Sequence, residues 1–226
     1  MKSFIYILLT SLTFLVVGCQ NESEEIRLIN QAERLFDAYP DSVITTLDSI
    51  PLPEEMSPRL VARWCMLYAR AADKIEDEMP YTNQLEIALK YYQKKKMRKE
   101  EAEIGLYLGR SYVEDKEYEK AMRAYSDALK VALAIKNYNR AGYICSYMGD
   151  LYEVDLRYIL AAEKYKESGK YFYLANNATS YVRAFVNEGR SYMSVDSNYL
   201  ALASLKQAEV IMDSLNVENV KTYVYN

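Results

Sequence analysis

Histidine is absent from this 226-residue chain. That gap removes Ser-His and Cys-His nucleophile pairs, His-ligated metals and the commonest general base. Cysteine is scarce too, with three in all. Cys19 closes an N-terminal apolar run, and the remaining pair, Cys65 and Cys145, cannot build a structural zinc site. The seven glycines include no phosphate-cradling run of the P-loop kind. No segment alternates apolar and polar residues in the way of a half-buried strand. Basic excess is missing as well: the formal charge is −4, against the net basic face of a nucleic-acid binder. The one basic run, Lys94 to Lys96 with Arg98 and Lys99, leads straight into Glu100, Glu101 and Glu103 and reads as solvated helix ends. Carboxylates are plentiful, but most lie on polar helix faces beside Lys or Arg. No catalytic residue, metal or cofactor is expected.

What the chain does have is an internal repeat. Gly109, Gly149 and Gly189 fall 40 residues apart, as do Tyr112, Tyr152 and Tyr192, and then Ala121, Ala161 and Ala201. Tyr125 and Tyr165 follow in the same register, with Leu205 in the third copy, and then Ala128, Ser168 and Ala208. Gly-Arg-Ser-Tyr occurs twice, at 109–112 and 189–192. Small and aromatic residues at a fixed period mean stacked copies of one supersecondary unit. Within each copy, Ile104, Tyr107, Leu108 and Ser111, and then Ala121, Ala124, Tyr125 and Ala128, return every three or four residues, a helical spacing. The pattern predicts helix pairs at 98–114 with 117–136, 139–154 with 158–176, and 178–194 with 198–214.

The earlier part is helical but irregular. Glu24 to Tyr39 reads as one amphipathic helix stopped by Pro40, and Asp41 to Ser49 as a short second one. Ser57 and Pro58 form a helix start, with Ser57 as N-cap. That helix runs to about Lys74. The link Ile75–Tyr81, containing Met79 and Pro80, reads as a mobile loop before a helix carrying Leu85, Ala88, Leu89 and Tyr92. Cys65 and Cys145 sit among apolar neighbours and read as small buried hydrophobes.

At the N-terminus, Lys2 precedes an apolar run from Phe4 to Val17. It is about 14 residues long, short of the ~20 needed to cross a bilayer, so it reads as a secretory signal. Val16-Val17-Gly18-Cys19 resembles a bacterial lipobox. That resemblance implies cleavage before Cys19, lipid on its thiol and a membrane anchor. Gln20 in place of aspartate favours the outer membrane, periplasmic or surface face. The expected organisation is a signal peptide at 1–18, a lipidated tether at 19–23, degenerate helical repeats at 24–97 and three regular repeats at 98–216. Residues 217–226 read as the start of a further, incomplete repeat.

These columns resemble the tetratricopeptide (TPR) repeat: a small residue late in the first helix (Gly109), an aromatic one turn on (Tyr112), then Ala121, Tyr125 and Ala128 along the second. The resemblance implies an all-α solenoid of stacked antiparallel helix pairs, coiled as a right-handed superhelix. Its period of 40 exceeds the roughly 34 of that family, and the late proline is missing. The first helix of each pair would line a concave binding face. Those positions are Glu103, Leu106, Arg110, Val113 and Glu114 in one repeat. The next has Tyr143, Ser146, Asp150, Glu153 and Val154, and the third Arg183, Val186, Arg190, Met193 and Ser194. Arg110, Asp150 and Arg190 form a spine of alternating sign, either a cross-repeat salt-bridge ladder or a docking strip for an extended peptide anchored at Tyr143 and Met193. Tyr107, Tyr112, Tyr125, Tyr147, Tyr152, Tyr165 and Tyr192 are read as packing residues.

The opening of the chain, from the lipobox through Pro40-Asp41-Ser42 to Ala72, also resembles envelope TPR lipoproteins of the Bacteroidota type. The expected function is a membrane-anchored scaffold for an unidentified protein or peptide partner. Two alternatives stand beside it: the extracytoplasmic sensor part of a longer transmembrane regulator of transcription, and a glycan-binding uptake lipoprotein.

Overall fold

A computed structural model of the chain describes residues 24–214. The expected signal peptide, Cys19 with its tether, and the incomplete repeat at 217–226 lie outside these. Among the described residues every regular element is helical. The α-helices are α1 (24–35), α2 (Pro40–Asp48), α3 (Pro58–Ile75), α4 (Thr82–Lys95), α5 (Arg98–Glu114), α6 (Tyr118–Ala134), α7 (Tyr138–Val154), α8 (Tyr158–Leu174), α9 (Ala178–Met193) and α10 (Asn198–Ser214). The chain divides into two compact units within α4, between Tyr91 and Tyr92.

In the first unit, proline opens helices as well as closing them. Pro40 occupies the first position of α2 and Pro58 that of α3, where a missing N–H costs no hydrogen bond. Ser57 stands at the N-cap of α3, but its side chain makes no capping bond. Val43 and Leu47 of α2 are fully buried, as are Val61 and Cys65 of α3. The Trp64 indole N–H donates to the Leu47 carbonyl at 3.1 Å and so ties the two helices. Arg63 reaches Glu33 and Asn30 of α1, each at 2.8 Å. The link after α3 is anchored rather than loose: Met79 and Pro80 are both buried.

In the second unit α5–α10 form three antiparallel hairpins, and successive hairpins pack through α6 against α7 and α8 against α9. The turns share one device. Lys96, Lys116, Lys136, Leu156, Asn176 and Asp196 all adopt left-handed backbone, with φ between 55° and 61°. The next residue then donates its N–H five places back, as Glu117 does to Tyr112, Asn137 to Ala132 and Arg157 to Tyr152, each at 2.8 Å. This is a Schellman closure of one helix. The same residue's carbonyl accepts the first bond of the next helix, as from Ala121, Ala141 and Ala161. A helix and its turn thus occupy twenty residues, and two such steps make one sequence repeat.

None of these left-handed positions is glycine. Leu156 is the clearest case, because its side chain is 71 % exposed and gains little packing in return for a conformation that costs roughly 1–2 kcal/mol outside glycine. Leu156→Gly is expected to raise stability by about 0.5–1 kcal/mol after the entropy lost by glycine. A urea midpoint shifted upward at constant m-value would show it.

Inside each hairpin the glycines admit rings. A Cβ on Gly109 would stand 2.2 Å from the Tyr125 ring, and one on Gly149 2.7 Å from that of Tyr165. In the third hairpin the corresponding neighbour of Gly189 is Leu205, at 3.0 Å. Tyr125 and Tyr165 are buried by this arrangement. Tyr112, Tyr152 and Tyr192 are only half-buried, a departure from the expected packing role. Lys120 lies over the ring of Tyr112 and Arg157 over that of Tyr152.

Candidate functional site

On α5, Arg110, Val113 and Glu114 are spaced three and four residues apart and share one stripe. On α7, Tyr147, Asp150, Leu151 and Val154 do the same. Helices α5 and α7 touch, and the two stripes enclose a recess of about 230 Å³ floored by Tyr125. Five of the expected concave-face residues, Arg110, Val113, Glu114, Asp150 and Val154, therefore meet in one place. The Tyr147 ring stacks on Tyr125 with centroids 6.2 Å apart and 17° between planes. The Arg110 guanidinium lies over the Tyr147 ring, 5.2 Å from its centroid. Tyr147 was assigned to packing because it recurs with Tyr107. Its position one helical turn before Asp150 is the signal that marks it as a groove residue.

Asp150 is the electrostatic centre. Although the residue is exposed, its Oδ1 accepts the hydroxyl hydrogen bond of the buried Tyr165 at 2.6 Å. Desolvation of the carboxyl group where it turns into the recess pushes it up to about 6, and Glu153 adds to the rise. The Tyr165 bond pulls the other way, followed by the fields of Arg190 and Arg110. Both arginines of the spine therefore act on the carboxylate between them, while the hydroxyl of Tyr165 holds it directly. Burial above all pushes the Tyr125 and Tyr165 hydroxyls well upward, so both stay protonated donors.

Other expected residues are committed to contacts between helices. Glu103 is 4 % exposed and pairs with Arg140 of α7 at 2.7 Å; the Tyr107 hydroxyl lies 3.4 Å from the same oxygen. Tyr143 sets its ring edge-on to Phe172 at 4.9 Å and its hydroxyl 3.3 Å from Ser180. Ser146 joins Ser168 at 2.9 Å, and Ser168 donates onward to the Gly142 carbonyl. Glu153 accepts from Ser191 of α9 at 2.6 Å. Arg183, Arg190 and Met193 of α9 are exposed and share a stripe by their spacing.

A second hollow of about 430 Å³, between the start of α6 and the end of α7, is lined by Tyr118, Met122, Tyr152 and Arg157 among others. It shares Leu151 and Val154 with the recess but holds none of the charged residues expected for the site. Among the described residues there is no group of three or more Cys, Asp or Glu side chains placed to hold a metal ion. Cys65 and Cys145 are buried free thiols. Burial pushes the Cys145 thiol up to about 12 and Cys65 upward as well, away from the reactive thiolate.

No protein-family model matches the sequence, and no curated protein matches it. Solved structures do share its fold. A putative kinesin light chain from Podosopora anserina, built of nearly identical TPR-like repeats, is 13% identical with a TM-score of 0.61, covering 87% of this chain and 98% of that one. The fold is a TPR-like α-solenoid. The apo form of RapI matches with a TM-score of 0.70 at 12% identity, over 89% of this chain and 74% of its own. PlcR of Bacillus thuringiensis, in complex with the peptide PapR7 and DNA, gives 0.57 at 14% identity, over 90% and 75%.

These neighbours correct the outer-membrane placement expected from the N-terminus. The architecture is shared with a kinesin light chain and with a protein bound to DNA, so nothing in it is specific to a cell envelope. Among the described residues no helix is long and apolar enough to cross a membrane. The envelope localisation is not retained.

Proposed function

We propose that this chain is a protein-interaction scaffold that holds an extended peptide segment along α5, α7 and α9. One observation carries the reading: three charged groove residues from two repeats, Arg110, Glu114 and Asp150, gather around a recess that also has an apolar wall. An apolar side chain of the peptide enters between Val113, Tyr147, Leu151 and Val154. Its neighbours meet Arg110 or Arg190 on one side and Glu114 or Asp150 on the other. Val154 and Met193 are each more than half exposed, which leaves anchoring area uncovered along the strip. A fold of this kind is described with a bound peptide in PlcR, which lends the mode a precedent.

A displayed peptide library selected on the intact protein tests the reading. Selected peptides are expected to lose about tenfold or more in affinity, ~1.4 kcal/mol, against Val154→Asp and against Arg110→Ala. Both positions leave the hairpin core untouched, so melting temperatures should hold. Peptides that bind both variants as well as the parent would place the site elsewhere.

A further inference from the structure

The first unit has a cavity of its own, about 210 Å³ in volume, between the end of α2, the middle of α3 and the link into α4. Its wall combines the rings of Trp64, Tyr68 and Tyr81 with the carboxylates of Asp48 and Glu78, and no lysine or arginine lines it. Gln84 is part of the lining and is 5 % exposed. Its amide orientation is set by Glu54: the Nε2 donates to the Glu54 carboxylate at 3.1 Å, which cannot accept from an oxygen. Oε1 is thereby turned away from Glu54, buried and without a hydrogen-bond partner. A buried amide oxygen left unpaired costs about 1–3 kcal/mol, and it asks for a donor.

We propose that this cavity binds a small organic cation bearing N–H donors, an ammonium or guanidinium group, between the rings and the acceptors of Asp48, Glu78 and Gln84. The acceptors of the wall point the same way. Carboxylates and the orphan oxygen accept and do not donate, and aromatic faces attract a cation through their quadrupole. Burial raises the Asp48 carboxyl above its ordinary value; the Tyr68 hydroxyl donates to it and offsets part of that rise, and Asp77 adds to it. The Tyr68 hydroxyl is itself pushed up to about 12, by burial and then by Asp48 and Asp77. The local field is negative, and a cation relieves it. A neutral apolar guest would leave Gln84 unpaired, and an anion would meet two carboxylates.

Trp64 is the one tryptophan in the chain and lines the cavity, so its fluorescence reads the site directly. The intact protein is titrated with n-butylguanidinium, n-butylammonium, an uncharged 1-butanol control and a short arginine-containing peptide. A saturable change in Trp64 emission is expected with the cations and not with butanol. Saturation by the free amines supports a small-molecule ligand, and saturation by the peptide alone supports a cation carried on a polypeptide. The conservative pair Asp48→Asn with Glu78→Gln is expected to weaken binding at least fivefold. Gln84→Met, which removes the orphan oxygen, should do the same by an independent route. Arg110→Ala in the groove should leave the titration unchanged, which separates this site from the peptide strip. No saturable response to any cation at tens of millimolar, or an equal response to butanol, would overturn the proposal.

Discussion

Arg140→Met is expected to destabilise the protein by about 3 kcal/mol or more, in the range seen when one member of a buried ion pair is removed. Arg140 of α7 and Glu103 of α5 meet at 2.7 Å with side-chain exposures of 20% and 6%. Methionine fills much of the stem's volume, so the loss is electrostatic rather than a cavity. With Arg140 gone, the buried Glu103 carboxylate keeps the nearby Tyr107 hydroxyl but loses its cation, so its charged form is held less well in the folded than in the unfolded chain. Its penalty is absent below the unfolded pKa, near 4.3, and grows as pH rises above it. The gap between variant and parent should therefore be narrow at pH 4 and widest at neutral pH. Adding Glu103→Leu should recover most of the loss, because an apolar pair can replace a buried ionic one at little cost. Chemical denaturation of the four proteins of this cycle gives the coupling directly. A single Arg140→Met change within about 0.5 kcal/mol of the parent would show that the pair contributes only as an exposed one does.

The second large effect concerns the notches that accept rings. Alanine is ordinarily better than glycine inside a helix by ~1 kcal/mol. At Gly109 the sign should reverse, because a Cβ would stand 2.2 Å from the buried Tyr125 ring. Overpacking of this kind costs about 1–3 kcal/mol. Gly149→Ala, with 2.7 Å to the Tyr165 ring, should cost less. Gly189→Ala should cost least, since a leucine at 3.0 Å can rotate out of the way. The order Gly109 over Gly149 over Gly189 in loss of melting temperature is the expected result. Three equal shifts would mean that the partner across the hairpin does not decide the cost.

Much of this could be read before any coordinates. The helices of the second unit start and stop within one or two residues of the spacing of Gly109, Tyr125, Ala128 and their counterparts, because helix-pair packing demands small residues opposite large ones. The pairing of Gly109 with Tyr125 and of Gly149 with Tyr165 was legible for the same reason. The half-length backbone period was not. Lys96, Lys116 and Lys136 do recur every twenty residues, but Leu156, Asn176 and Asp196 break the series, and a left-handed turn without glycine has no characteristic residue to mark it. The candidate site was legible as a stripe on α5 and α7. Which members stay open and which are consumed was hidden, because the partners of Glu103, Tyr143 and Ser146 lie 37, 37 and 22 residues away.

The cation cavity of the first unit escaped sequence reading altogether. Asp48, Trp64, Glu78 and Gln84 carry no shared spacing, and the link holding Met79 and Pro80 read as mobile. By itself the sequence determined that this chain is a row of helical hairpins, since a fixed period of small and aromatic residues has no other economical burial. Only the tertiary structure decided which polar groups face a neighbour and which face solvent. That choice depends on a few ångströms between helices far apart in sequence, and no local pattern encodes it.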